Sequence, residues 1–291
     1  MEFDRILYRF YKTIPGRLLR MPLNFLRRYG RRYRILLGER FGWKIPETFT
    51  MKLEWLKYFG RDPRYVEFAD KIAVRDYVAR TIGAEYLIPE IGHYRSASEI
   101  DFDSLPEKFV LKTNNASGTN IICKDKATLD VQAAREKLNR WLSRTFGRRE
   151  GEWHYGQIRP GILCEAFIND RNGELRDYKF FCFNGVPKYV WVDFDRYGAN
   201  KARSIRDISW NKVPLRLTAL DYKGEVPKPP NYEKMVEIAQ KLAGDLKSVR
   251  VDLYNVDGKI YFGEMTFFSG DLYFRPRKYN RIWGQQLDLG R

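Results

Sequence analysis

Apolar and polar positions alternate on both sides of Asp257-Gly258 in VRVDLYNVDGKIYFGEMT (249–266), so the segment predicts two adjacent strands, 249–256 and 259–267, joined by a tight turn. The same rhythm predicts strands at GILCEAFI (161–168), LRDYKFFCFNG (175–185) and VPKYVWVDFD (186–195), with Asn184-Gly185 as a hairpin turn. FVLKTNNASGTNII (109–122) reads as a further hairpin, an apolar strand and a second short strand around a small, polar, glycine-containing loop. Helical spacing takes over elsewhere. Residues 50–92 read as mostly helical, with a helix over 71–83 that Asp70 caps and Gly83 ends, then a short strand Tyr86–Ile88 before Pro89. Further helices are predicted over about 127–146 and 232–246. Segment 196–231 reads as irregular, and the tail from Ser269 as aromatic loop.

Strands outnumber helices in the second half and hairpins join them, so the sheets are expected to be antiparallel and the class α+β, not a doubly wound parallel sheet. Near the N-terminus Phe3, Ile6, Leu7, Phe10 and Ile14 recur at helical spacing with Arg5, Arg9 and Lys12 opposite. Residues 1–36 are therefore expected to form a basic amphipathic helical segment, and 37–105 a small helical or mixed domain. Residues 1–40 hold 11 Lys/Arg and 3 Asp/Glu, which is half of the net charge of +16. Such a segment fits an anionic membrane surface, or equally a helix packed on its own domain. A nucleic-acid arm is not expected, because its large apolar residues would face water. No run of some 18 apolar residues exists, and arginines interrupt the N-terminus, so neither a transmembrane helix nor a cleaved signal peptide is expected. Cys123, Cys164 and Cys182 show no metal or disulfide spacing and read as reduced thiols of a cytoplasmic protein. Two histidines, His93 and His154, argue against a zinc hydrolase and leave the chemistry to carboxylates, basic groups and a metal.

The candidate chemistry sits on the predicted strands. Asp252 and Glu264 fall on adjacent strands, and Mg²⁺ is usually held by one or two carboxylates together with substrate phosphates. Thr266 shares a face with Glu264 and offers another oxygen, and Arg250 shares a face with Asp252, where a guanidinium stabilises an oxyanion. Lys112 ends an apolar strand as a point charge for phosphate, and the loop amides of Ala116–Asn120, around Ser117 and Gly118, fold over the phosphates. Glu165 inside an apolar strand needs a partner or a ligand. One reading is an internal ion pair with Lys179 or Lys188. The other is an adenine pocket where main-chain groups of Ala166, Phe167 and Ile168 meet the base edge. Asp177 and Lys179 share a strand face, for ribose hydroxyls and phosphate respectively.

In order, ADK (69–71), YLIP (86–89), LK (111–112) with its loop, CEAFI, DYKFF (177–181), RVD (250–252) and GEMT (263–266) resemble the ATP-grasp superfamily. IDFDSLPEKFVLKTNNASG, RDYKFFCFNGVPKYVWVDFDR, ISWNKVPL and VRVDLYNVDGKIYFGEMTFFSGDLYFRP resemble more closely the TupA-like ATP-grasp family of bacterial cell-surface polysaccharide clusters, over about residues 40–291. The resemblance implies two α+β subdomains gripping ATP, 106–168 the small one and 169–291 the large one with the metal site. It implies ATP and Mg²⁺ as cofactors, with transfer of the γ-phosphate to a carboxylate and attack of an amine on the acyl phosphate. Lys71 and Lys112 would contact phosphates, Glu165 with Ala166–Ile168 would line the adenine site, and Asp177 and Lys179 would meet ribose and phosphate. Asp252 and Glu264 would hold Mg²⁺ and Arg250 would face the reacting centre. Many enzymes of the wider ATP-grasp superfamily read Glu-x-Asn where this chain has Glu264-Met265-Thr266, a change that looks normal for the TupA-like subfamily and leaves the number of metals open.

The expected partners are a carboxylated sugar or glycan intermediate, such as a lipid-linked hexuronic acid, and an amine, an amino acid or amino sugar. An anionic membrane surface is expected to meet residues 1–36, at the inner face of the plasma membrane. Two other readings stay open: a kinase of a sugar hydroxyl, and a non-catalytic polyanion-binding protein.

Overall fold

The structure, a computed structural model, describes residues 46–147, 151–171, 175–194, 202–217, 220–269 and 273–290. The expected basic helix 3–14 and the segment 17–36 lie outside the described residues. The element order is α1 (Phe49–Phe59), α2 (Arg64–Ala69), α3 (Val74–Thr81), β1 (Glu90–Tyr94), β2 (Phe109–Thr113), β3 (Asn120–Cys123), α4 (Val131–Leu142), β4 (Ile162–Ala166), β5 (Asp177–Phe183) and β6 (Val186–Phe194). It continues with β7 (Ala202–Asp207), β8 (Leu220–Asp221), α5 (Tyr232–Ala243), β9 (Ser248–Val256), β10 (Lys259–Thr266) and α6 (Lys278–Gln286).

The strands form two sheets, a four-stranded one in the order β1-β4-β2-β3 and a six-stranded one in the order β10-β9-β5-β6-β7-β8. Every pairing is antiparallel except the short β7–β8 ladder. The α+β class expected from the hairpins is what the chain adopts. Asn184 and Gly185 turn with φ of 49° and 78°, and Asp257 and Gly258 with 51° and 93°, the left-handed pair that matches strand twist in a two-residue hairpin.

Each sheet has its own core. Leu111, Ile121, Ile162 and Cys164 of the small sheet bury against Ala134 and Leu138 of α4. In the large sheet Phe180, Val190, Val251 and Leu253 share a core with Met235, Ile238, Ala239 and Leu242 of α5. Residues of β5 that point to the opposite face are split along the strand. At one end Phe181 and Phe183 meet Trp283 of α6 at ring distances of 5.0 and 5.7 Å, and Tyr189 stacks on the same indole at 4.3 Å. At the other end the same face carries Asp177 and Lys179, both buried.

Five expectations change. The residues before Pro89 form a 3-10 turn, Ala84–Tyr86, and the strand starts at Glu90. Proline has no N–H for a ladder, and the Ile88 carbonyl is taken by Arg75 Nη2 at 3.0 Å. The helix expected from residue 71 begins at Val74, because the Asp70 carboxylate accepts from the amides of Ile72 and Ala73 and holds 71–73 as a turn. The helix expected from about 127 begins at Val131, capped by Asp130, which accepts from Ala133 N at 2.9 Å. The irregular segment contains β7 and β8, and the C-terminal tail contains α6. Both gain their stability from long-range packing that local alternation does not reveal, Trp283 of α6 being fully buried.

Candidate active site

The large sheet brings the acidic pair together through register. Glu264 lies opposite Asp252, and Thr266 opposite Arg250, on β10 and β9. On the other side of β9, Lys179 of β5 faces Asp252, and Trp191 of β6 faces Lys179. One row therefore runs Trp191–Lys179–Asp252–Glu264 across four strands. A bulge between Phe262 and Glu264 sets its phase. The extra residue is Gly263, where a Cβ would lie 3.0 Å from the Asp252 carbonyl and 3.1 Å from the Tyr254 ring.

The row is ion-paired at close range. Arg250 grips Asp252 with two bonds, Nε to Oδ1 at 2.6 Å and Nη2 to Oδ2 at 2.8 Å. Nη2 also lies 3.2 Å from Glu264 Oε1 and 3.1 Å from Thr266 Oγ1, and Nη1 donates to Ser269 Oγ at 3.0 Å. Lys179 Nζ bridges Asp177 and Asp252, 2.6 Å from each. Burial pushes the Asp252 carboxyl up, and Arg250 and Lys179 pull against that. Glu264 is the more open member of the pair, its side chain 28% exposed.

The small sheet supplies the facing wall. Glu165 is buried on β4, with Lys112 Nζ 2.6 Å from one carboxylate oxygen and Arg75 Nη1 3.0 Å from the other. This replaces the pairing with Lys179 or Lys188 that the sequence leaves open: β2 beside β4 puts Lys112 on the same face, and α3 delivers Arg75. Arg75 also binds Glu90 through Nε at 2.9 Å. Lys71 sits in the turn before α3 and donates through Nζ to the Ala116 carbonyl of the β2–β3 loop. Burial lowers the pKa of its ammonium, against which Glu264, Asp70 and Glu165 act.

Between the walls lies a cleft of about 360 Å³ lined by Lys71, Lys112, Ser117, Gly118, Glu165, Ala166, Phe167, Ile168, Asp252 and Glu264 from the sequence reading. Asp177, Lys179, Arg250 and Thr266 are not part of that lining. Asp177 is 1% exposed and Lys179 4%, both packed behind Asp252. The Ala166 amide is already bonded to the Pro89 carbonyl at 2.9 Å, so a base edge would meet the main chain that follows. Sequence reasoning missed Ile88, Val110, Ile122, Arg176, Asp193 and Tyr254, all of which line the cleft. Tyr254 carries a usable signal, two residues beyond Asp252 on one strand face. Asp193 is set by the register of β6 against β5, where it faces Asp177.

The donors present fit a hard divalent cation held jointly with phosphate. Glu264 opens its carboxylate to the cleft, Asp252 borders it with its oxygens bonded to Arg250 and Lys179, and Thr266 adds a hydroxyl near Arg250. Among the described residues no group of three or more His, Cys, Asp or Glu side chains could hold a metal by itself.

The family model for the TupA-like ATP-grasp proteins matches residues 51–288. The chain belongs to the TupA-like ATP-grasp family. No curated protein matches it. Among solved structures it is similar to the D-alanine–D-alanine ligase of Bacillus anthracis complexed with ATP, at 15% identity and a TM-score of 0.44, over 77% of this chain and 65% of that one. It is also similar to an L-amino acid ligase of Bacillus licheniformis, at 11% identity and a TM-score of 0.47, over 84% of this chain and 54% of that one. The chain thus spans less than two thirds of either ligase.

Proposed function

We propose that the protein is an ATP- and Mg²⁺-dependent carboxylate–amine ligase. The observation that carries this reading is the facing of Lys71 and Lys112 on one wall of the cleft by Asp252 and Glu264 on the other, within a chain of the ATP-grasp family. The basic residues meet the polyphosphate, and the apolar Ile88, Val110 and Ile122 meet the base. Asp252 and Glu264 would hold Mg²⁺, with Thr266 near them, and the ion would neutralise phosphate charge when bound. Arg250 keeps Asp252 and Glu264 in place. A carboxylate oxygen attacks the γ-phosphorus, the bond to the ADP oxygen breaks, and an acyl phosphate forms. The amine nitrogen then attacks the carbonyl carbon, phosphate leaves, and the nitrogen loses a proton to give the amide.

For the carboxylate we propose a sugar acid such as a hexuronic acid in cell-surface polysaccharide assembly, and for the amine an amino acid or amino sugar. The basic residues 1–36 would hold the protein at the inner face of an anionic membrane. Among the described residues no helix is long and apolar enough to cross a membrane. Incubation with ATP, Mg²⁺, uronic acids and hydroxylamine tests the chemistry: a ligase traps its acyl phosphate as a hydroxamate with stoichiometric ADP. A phosphoester formed without any amine would establish the kinase instead. Co-sedimentation with anionic vesicles that is unchanged by deletion of 1–36 would remove the membrane proposal.

A further inference from the structure

We propose that Asn114, anchored on Asp70, is a positioning residue that sets the approach of Lys71 to the phosphate end of the nucleotide. The proposal rests on the nucleotide reading of the cleft. Asp70 follows α2, and its Oδ1 accepts from the amides of Ile72 at 2.8 Å and Ala73 at 3.3 Å. Those bonds fix the turn that carries Lys71. Asn114 Nδ2 donates to the same Asp70 oxygen at 2.9 Å and to the Arg159 carbonyl at 3.1 Å, and its Oδ1 accepts from Gly161 N at 2.8 Å. Its main chain repeats the connections: its amide donates to the Gly161 carbonyl at 3.0 Å, and its carbonyl accepts from Lys71 N at 3.3 Å.

Asn114 therefore joins three segments: the turn before α3 and the β2–β3 loop, both of which line the cleft, and the entry to β4. It is 1% exposed, so water cannot replace these bonds. The task needs one acceptor and two donors on one short planar group, which an amide side chain provides and a carboxylate does not. The ring closes through Lys71, whose backbone is held by Asn114 and whose Nζ rests on the carbonyl of Ala116 in the same loop. A lysine is a point charge on a flexible stem. Fixing its Cα and parking its ammonium on a neutral carbonyl leave it ready to exchange that carbonyl for a phosphate oxygen.

Calorimetric titration with ATP and with AMP, both with Mg²⁺, tests the proposal in the full chain. Asn114→Ala is expected to lose about tenfold in ATP affinity and to hold AMP within about twofold. Asn114→Asp, which keeps the bond to Gly161 but drops both donations, is expected to do the same and serves if the alanine variant does not fold. In a Lys71→Met background the Asn114 changes are expected to have no further effect. Folded Asn114 variants that bind ATP normally, lose ATP and AMP alike, or remain additive with Lys71→Met would overturn the proposal. Wild type that binds neither nucleotide would overturn the nucleotide reading, and the proposal with it.

Discussion

Arg250 and Asp252, two residues apart on β9, are joined by two hydrogen bonds of 2.6 and 2.8 Å, and the same guanidinium reaches Glu264 on β10 at 3.2 Å. A single cation thus spaces the two carboxylates proposed to hold magnesium. The pair is asymmetric. Asp252 is shut in by Arg250 and Lys179, while Glu264 opens to the cleft.

That asymmetry separates stability from function. Lys179→Met leaves Asp177 and Asp252 buried with one cation fewer, and breaking a buried pair in this way costs on the order of 3–5 kcal/mol. Denaturant unfolding is expected to register that loss, whereas Glu264→Gln, at the more open position, is expected to unfold within about 1 kcal/mol of wild type. Equal losses for the two would contradict the assignment of Lys179 to the scaffold and Glu264 to the ligand.

The bulge at Gly263 sets where Glu264 points. Gly263→Ala brings a Cβ to 3.0 Å from the Asp252 carbonyl, so either β10 shifts or the bulge is lost. A destabilisation of about 1–3 kcal/mol is expected, together with weaker Mg²⁺-dependent nucleotide binding. Unchanged binding in this variant would show that the phase of β10 does not matter to the site.

His154 gives the chain a pH-dependent stability. It is 1% exposed, its ring is 4.3 Å from Tyr155, 5.9 Å from Phe267 and 5.6 Å from Phe268, and burial followed by Lys57 pushes its pKa from 6.5 down to about 4. Above pH 6.5 both folded and unfolded chains hold it neutral. Between 6.5 and 4 the unfolded chain takes up a proton that the folded chain refuses, so stability falls as pH falls, by up to roughly 3 kcal/mol. Below about 4 this contribution stops changing. Unfolding measured at pH 7 and pH 5 is expected to show the loss, and His154→Phe to reduce it; an unaltered pH slope in that variant would assign the effect to other groups.

Much of the large sheet was legible because its strands are local. Alternation placed Asp252, Glu264 and Thr266, and the Asn184-Gly185 and Asp257-Gly258 turns marked the hairpins. Partners set by non-local register were not legible. Glu165 finds Lys112 through β2–β4 pairing and Arg75 through the docking of α3, and no spacing in the chain encodes either. Asp193 reaches the cleft in the same way. The strand placed at Tyr86–Ile88 failed for a local reason, because Pro89 cannot extend a ladder. Asn114 was visible only as a polar loop residue, since its role depends on Asp70, Arg159 and Gly161 converging.

Asp252 and Glu264 are proposed to serve a magnesium–nucleotide complex opposite Lys71 and Lys112. Calorimetric titration of ATP with and without Mg²⁺, on wild type and on the Asp252→Asn/Glu264→Gln variant, tests it most directly. Wild type is expected to bind in a magnesium-dependent way, and the folded double variant to lose that binding. Equal binding by both proteins, or binding indifferent to Mg²⁺, would contradict it.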